Sequence, residues 1–503
     1  MRSDLSRRHL LGMGAAAAAT GFLGLPSLSF AKGREPASRA KNIIYCCSDG
    51  MPVSIPAMLN DFVRIRDGRE SVMTWLARQE FAVTGLQETR SLSSLVTDSA
   101  AAGSAWGCGR HVWNGQLNCF PDGTKLRTLY DVLQEDGMRT GLVTTATMTH
   151  ATPSGFSVNM MRRDDEPGIA EAHLERGVDV LLGGGDRFFN PQSRRDGRDL
   201  YAEFERKGYT VARNRSELVA RAAVGQKLLG IFSTSHVPYT IDRDNNPELR
   251  ASVPTLAEMT RIAIDRLKTG PKGFILQVEG ARIDHAGHAN DIAGMLYDQL
   301  AFEEAVKVAI DFAMEDGETL VVVTGDHGTG GPALNGAGIE YGDTASGLEK
   351  IAAMKGSFDA VTRAIGREAN AAKVKDVAKE ILDLEFSNAE AEAVAQAAAN
   401  NSPFRPSAFF GGLTSALGLI VGNHVKATFT SGNHTADHTP VIAMGPGSEL
   451  FAGWTSNISH FDRMLATRGL KWENPTMSFE EARRHMSARQ ERALASAVEE
   501  HWY

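Results

Sequence analysis

Cysteine is scarce. The 503 residues hold four, Cys46, Cys47, Cys108 and Cys119, and none has zinc-finger spacing, which argues against a cysteine-based metal site. The chain also lacks a basic excess. Its net charge is −8, with a sequence pI near 6.0, so no general nucleic-acid-binding surface is expected. No run after the N-terminal segment is long and apolar enough to span a bilayer. Internal repeats are missing, as are a Gly-x-Ser-x-Gly elbow and a phosphate-loop signature.

What remains is ordinary for a soluble globular protein: 42% apolar and 23% charged residues. The length predicts one large domain with an insertion, or two domains. Residues 1–31 read as an export leader. Arg7-Arg8 with Leu10-Leu11 resembles a twin-arginine signal, and Ser29-Phe30-Ala31 offers small residues for cleavage. An ordinary secretory signal is the competing reading, and both send the chain out of the cytoplasm. In an oxidising compartment a pairing of Cys108 with Cys119 would close a short loop, and the sequence leaves that pairing open. Cys46 and Cys47, adjacent in an apolar strand, point to opposite faces as packed thiols.

From Lys41 onward, apolar runs at 42–48, 140–145, 178–182, 274–278, 319–324 and 441–444 alternate with helical patterns at 71–79, 126–135, 255–268 and 296–315. This alternation predicts an α/β fold, with a mainly parallel central sheet covered by helices on both faces. Residues 332–425 differ: they are Ala-rich, with helical patterns at 357–369, 372–384 and 388–399 and a break at 400–403. They read as a mostly helical insertion on the main domain. Residues 478–503 read as a charge-laced helical tail with a solvated face.

In such sheets ligands bind beyond the carboxyl ends of the strands. Here those ends carry Asp49-Gly50, His150-Ala151-Thr152-Pro153, Glu279-Gly280 and Gly325-Asp326-His327. The 274–288 stretch is the densest, placing Glu279, Asp284, His285 and His288 just past a strand. Asp284 and His288, four apart, share one helical face. Buried carboxylates repel and desolvate badly unless a cation compensates. Ser99 opens a small-residue helix in Thr97-Asp98-Ser99-Ala100. Either Asp98 or Ser99 caps that helix, or Ser99 holds a phosphoryl group against its amides.

These pieces, with Ala151-Thr152-Pro153, Glu279-Gly280-Ala281, Ile283-Asp284, Thr324-Gly325-Asp326-His327 and His434-Thr435, resemble the alkaline phosphatase family in their order, over roughly Lys41 to Pro446. The resemblance implies hydrolysis of phosphate monoesters through a phosphoserine on Ser99, with two zinc ions and one magnesium ion. It implies zinc on Asp284, His288 and His434, a second zinc on Asp49, Asp326 and His327, and magnesium on Asp49, Thr152 and Glu279. These donor types suit those ions. Arg163 aligns with the phosphate-binding arginine, with Arg162 the competing choice. The implied layout is a catalytic domain at 38–477 carrying the insertion 332–425, and the family also suggests a homodimer.

His150 and His285 stand where some family members carry Asp and Lys. They are candidates for the third site or for supporting its ligands, which leaves the third metal open. A phosphodiesterase or phosphonate hydrolase on the same scaffold is the alternative enzyme, and Glu279 with Thr152 argues against it. A sulfatase lacks its Cys/Ser-x-Pro-x-Arg signature. A non-catalytic phosphate- or metal-binding protein is disfavoured by retention of Ser99, Arg163 and all three ligand sets.

Overall fold

A computed structural model describes residues 38–221, 227–366, 369–399 and 412–486. Residues 1–31, read as a leader, the break at 400–403 and the end of the tail lie outside the described residues. Ten strands form one sheet: β1 (Asn42–Ser48), β2 (Ala82–Glu88), β3 (Arg139–Thr147), β4 (Val180–Gly184), β5 (Tyr209–Ala212), β6 (Lys227–Ile231), β7 (Phe274–Gly280), β8 (Thr319–Gly325), β9 (Thr439–Met444) and β10 (Gly453–Ser456). Their order is β10-β2-β9-β8-β1-β7-β3-β4-β6-β5. β1 lies parallel between β7 and β8, and β9 alone runs antiparallel to its neighbours β2 and β8. The mainly parallel α/β fold is as expected.

Every residue of β1, β7 and β8 is buried, because helices cover both faces and each strand feeds two cores. On β1, Ile44 and Cys46 enter one core while Ile43, Tyr45 and Cys47 enter the other. Each such aliphatic side chain contributes roughly 1.5–3 kcal/mol of burial free energy. The central pairing is in register, with Cys47 opposite both Glu279 and Thr324. The chemistry-bearing ends of β1, β7 and β8 therefore finish at one level.

The segment read as an insertion forms helices Thr344–Ala353, Phe358–Ile365, Ala371–Val377, Asn388–Ala398 and Gly412–Val425. Their residues Leu348, Phe358, Val394 and Val425 join the same core as Ile44. Among the described residues, no helix is long and apolar enough to cross a membrane. The Cys108–Cys119 pairing left open by the sequence is not formed: both are free thiols. The Cys119 thiol donates to Met160 O at 3.2 Å, while Cys108 faces Arg110 O. Each thiol is turned to its own backbone carbonyl, and burial pushes both up to about 12.

Candidate metal centre and nucleophile

Four parallel strand ends build the site. β1 delivers Asp49, whose amide donates to Gly280 O at 3.0 Å. β8 delivers Asp326 and His327, and Asp326 Oδ1 accepts from Gly50 N at 3.0 Å. Gly50 is required here: its φ is +74°, and a Cβ would lie 2.5 Å from Asp284 Cα. β7 ends on Glu279 and leads into helix Arg282–His288, which carries Asp284 and His288. β3 leads into helix Ala151–Gly155, which carries Thr152.

Ser99 is the first residue of helix Ser99–Cys108, and Asp98 is its cap, accepting from Ala101 N. The capping role thus falls to Asp98. The Ser99 hydroxyl instead lies 3.2 Å from His327 Nε2. Glycines set the depth of this helix against helix Ala151–Gly155. A Cβ on Gly155 would lie 2.5 Å from the Gly103 carbonyl carbon. Close backbone approach therefore packs the helix that Ser99 opens directly on the helix that carries Thr152.

Three clusters of donors have ligand atoms within 4.8 Å of one another: Asp284, His327 and His434; Asp49, Asp326 and His327; and Asp49, His150 and Glu279. His288 joins the first cluster, its Nε2 lying 3.4 Å from Asp284 Oδ1. Thr152 joins the third by donating to Asp49 Oδ2 at 3.3 Å. Backbone carbonyls aim two of the rings. His288 Nδ1 bonds Gly432 O at 2.5 Å and His434 Nδ1 bonds Thr97 O at 2.8 Å, which turns each Nε2 toward Asp284.

The electrostatics fit cations. Asp49 Oδ1, Asp326 Oδ2 and Glu279 Oε1 are buried and accept no hydrogen bond. Burial, then Asp326, Asp284 and Glu279, hold the Asp49 carboxyl well above the usual carboxylate range. Burial also opposes charge on Asp284, but His288, His434 and His327 outweigh it and pull its pKa down. Asp326 is lowered in the same way by His327. Clustered carboxylates with bare oxygens beside imidazole nitrogens are the donor set of a multi-metal site.

The structure separates the two arginines. Arg162 is exposed and pairs with Asp164, whereas Arg163 is buried. Arg163 Nη1 donates to Asp98 Oδ2 at 3.2 Å and Nη2 to His150 Nε2 at 3.1 Å. His150 also lies beside Glu279, with Nδ1 3.9 Å from Oε1. His285 stands apart from the three clusters; its Nδ1 takes a hydrogen bond from Arg282 Nη1 at 2.8 Å.

Sequence reading missed His236. Its ring lies 4.4 Å from His285 and 5.9 Å from His150, centroid to centroid. It comes from a loop after β6 with no ligand-like spacing around it. Thr144 and Thr329 were also missed; their hydroxyls donate to Glu279 and Asp284 and hold those carboxylates in place.

Comparison with known proteins agrees with this geometry. Residues 40–470 match the family described as alkaline phosphatase. The chain is 34% identical over 428 residues to alkaline phosphatase 3 of Bacillus subtilis (strain 168), covering 83% of this chain and 86% of that one. It is similar to the crystal structure of Thermus thermophilus alkaline phosphatase, with a TM-score of 0.85 and 36% identity over 92% of this chain and 99% of that one. A cold-active alkaline phosphatase from Shewanella sp. superposes with a TM-score of 0.71 at 28% identity, over 86% of this chain and 100% of that one. The chain belongs to the alkaline phosphatase family and is an enzyme that hydrolyses phosphate monoesters.

Proposed function

We propose that this is an exported phosphomonoesterase that works through a phosphoserine on Ser99. The reading is carried by one observation: Ser99 Oγ heads a helix already capped by Asp98 and lies 3.2 Å from Nε2 of His327, a donor shared by two of the clusters. Zinc would be held by Asp284, His288 and His434, and a second zinc by Asp49, Asp326 and His327. Magnesium would be held by Asp49, Thr152 and Glu279. When bound, these ions supply Lewis acidity that lowers the pKa of nearby hydroxyls and offsets negative charge.

Around that charge the chain's own groups have defined tasks. Ser99 Oγ gives up its proton and attacks phosphorus in line, breaking the bond to the leaving alcohol oxygen, which departs and is protonated. Arg163, held by Asp98 and His150, presents a planar fork to two equatorial oxygens. Water then enters from the vacated side, cleaves the Ser99 ester and releases inorganic phosphate, returning a proton to Ser99 Oγ. Recognition centred on the phosphate suits small monoesters of varied alcohols.

Export rests on the twin-arginine pattern in the leader, with the periplasm or extracellular space as destination and the export machinery as partner. A homodimer is the family's suggestion. The test is hydrolysis of a monoester and a diester, after chelation and after zinc plus magnesium restoration, with acid trapping of the phosphorylated enzyme. Metal-restored monoester cleavage with label on Ser99 is expected. Metal-restored monoester cleavage without label on Ser99 would overturn the phosphoserine route.

A further inference from the structure

The segment that follows residue 470 lies outside the stretch matched to the family, yet it packs against residues 108–113, which lead into the turn that seats Arg163. Asn474 Nδ2 donates to Cys108 O and Arg127 O, both at 2.8 Å. Arg110 Nε donates to Pro475 O at 3.1 Å. Beyond them, helix Phe479–His485 starts at a Ser478–Glu481 capping box. Its Ala482 is buried against Trp113, with Leu92, Met477 and Met486 around them. Phe479 stacks on Trp113 with centroids 5.8 Å apart and planes 5° from parallel, a contact that fixes an aromatic plane as well as burying it.

Trp113 opens the turn that builds the arginine's seat. Asn114 Oδ1 accepts from Asp98 N at 3.3 Å, and Asn114 Nδ2 donates to Val96 O at 3.1 Å. Gly115 N donates to Asp98 Oδ2 at 2.9 Å, the same oxygen that receives Arg163 Nη1. Gly115 O in turn accepts from Arg163 N at 2.8 Å. One short turn therefore holds the backbone of Arg163 and the carboxylate that aims its guanidinium. The C-terminal segment covers the outer side of that turn.

We propose that residues 472–486 form a strap that positions Arg163 through Trp113, with Phe479 as the residue that locks it. The proposal rests on Arg163 being the phosphate-binding group. Trp113 and Phe479 touch no reacting atom, so they are positioning residues. Loosening the turn costs phosphate affinity, because a guanidinium displaced by even a fraction of an ångström loses its two-point fit.

The test is a double-mutant cycle between Phe479→Ala and Arg163→Ala in the full-length, metal-loaded enzyme. The readouts are KM, kcat and the inhibition constant of inorganic phosphate, with thermal melting as the folding control. Phe479→Ala is expected to raise KM and the phosphate inhibition constant about three- to tenfold while kcat changes less than twofold. Phe479→Tyr, which keeps the stack, restores both. In the Arg163→Ala background Phe479→Ala should have no further effect on phosphate inhibition. A fall in kcat at unchanged KM, or full additivity with Arg163→Ala, overturns the strap. If Arg163→Ala itself leaves phosphate inhibition unchanged, the failure lies with the arginine's assigned role. Should Phe479→Ala melt early, Phe479→Leu, which keeps apolar bulk without the ring, provides the second variant, with the same split expected and the same outcomes overturning it.

Discussion

Arg163 Nη2 and His150 Nε2 are hydrogen-bonded at 3.1 Å. A guanidinium only donates, so His150 Nε2 accepts and its ring proton sits on Nδ1, facing Glu279 Oε1. In that tautomer His150 serves the arginine and has no lone pair for a cation beside Asp49 and Glu279. The two roles compete. Excess zinc that draws His150 into the third cluster should weaken inhibition by inorganic phosphate about three- to tenfold relative to magnesium. His150→Ala should abolish that metal dependence, as phosphate inhibition titrated under both metals would reveal. A zinc effect that survives in His150→Ala would place its origin elsewhere.

Ser99→Ala separates chemistry from metal binding. The hydroxyl is not the helix cap, since Asp98 fills that role, so the variant keeps its fold and its metal content. Turnover should fall by roughly a thousandfold or more. Metal analysis beside a monoester assay checks both halves. Activity that survives with its metal dependence intact would remove Ser99 as nucleophile.

Asp284→Ala should behave differently. Asp284 Oδ1 is the shared partner of His288 Nε2 at 3.4 Å and His434 Nε2 at 3.5 Å. Its loss leaves two imidazoles converging on no anion. About one metal ion per chain should be lost together with most activity. Unchanged metal content by elemental analysis would refute the ligand role.

The site was legible because its ligands sit at central strand ends, where burial makes the apolar runs long. β1, β7 and β8 are buried along their whole length and announce themselves. The strands not read, β2, β5, β6 and β10, are the outermost pair on each side of the sheet. β2 is half-exposed with a mixed burial pattern, so its sequence carries little period. His236 comes to lie beside His285 and His150 through a loop, and loops leave no spacing signal. The pairing of Cys108 with Cys119 was not legible, because short separation along the chain says nothing about where each thiol points.

Glu303, in helix Ile292–Asp316, is a buried acid away from the metal clusters, with Oε2 accepting from Met73 N at 3.0 Å. Burial pushes it from 4.5 up to about 7. Burial likewise takes Asp298, on the same helix, to about 7. The sign follows from proton binding. Between these values the folded chain holds a proton that the unfolded chain has lost, so stability falls as pH rises through that window and stays lower above it. For Glu303 the cost at alkaline pH is roughly 3 kcal/mol at most. Glu303→Gln keeps an oxygen for Met73 N–H, places its amide N–H where the acid carries O–H, and does not titrate. Melting of the metal-loaded variant should match the parent near pH 5 and exceed it by a few degrees at pH 9. Equal melting of the two proteins at pH 9 would mean that Glu303 ionises in the fold without penalty.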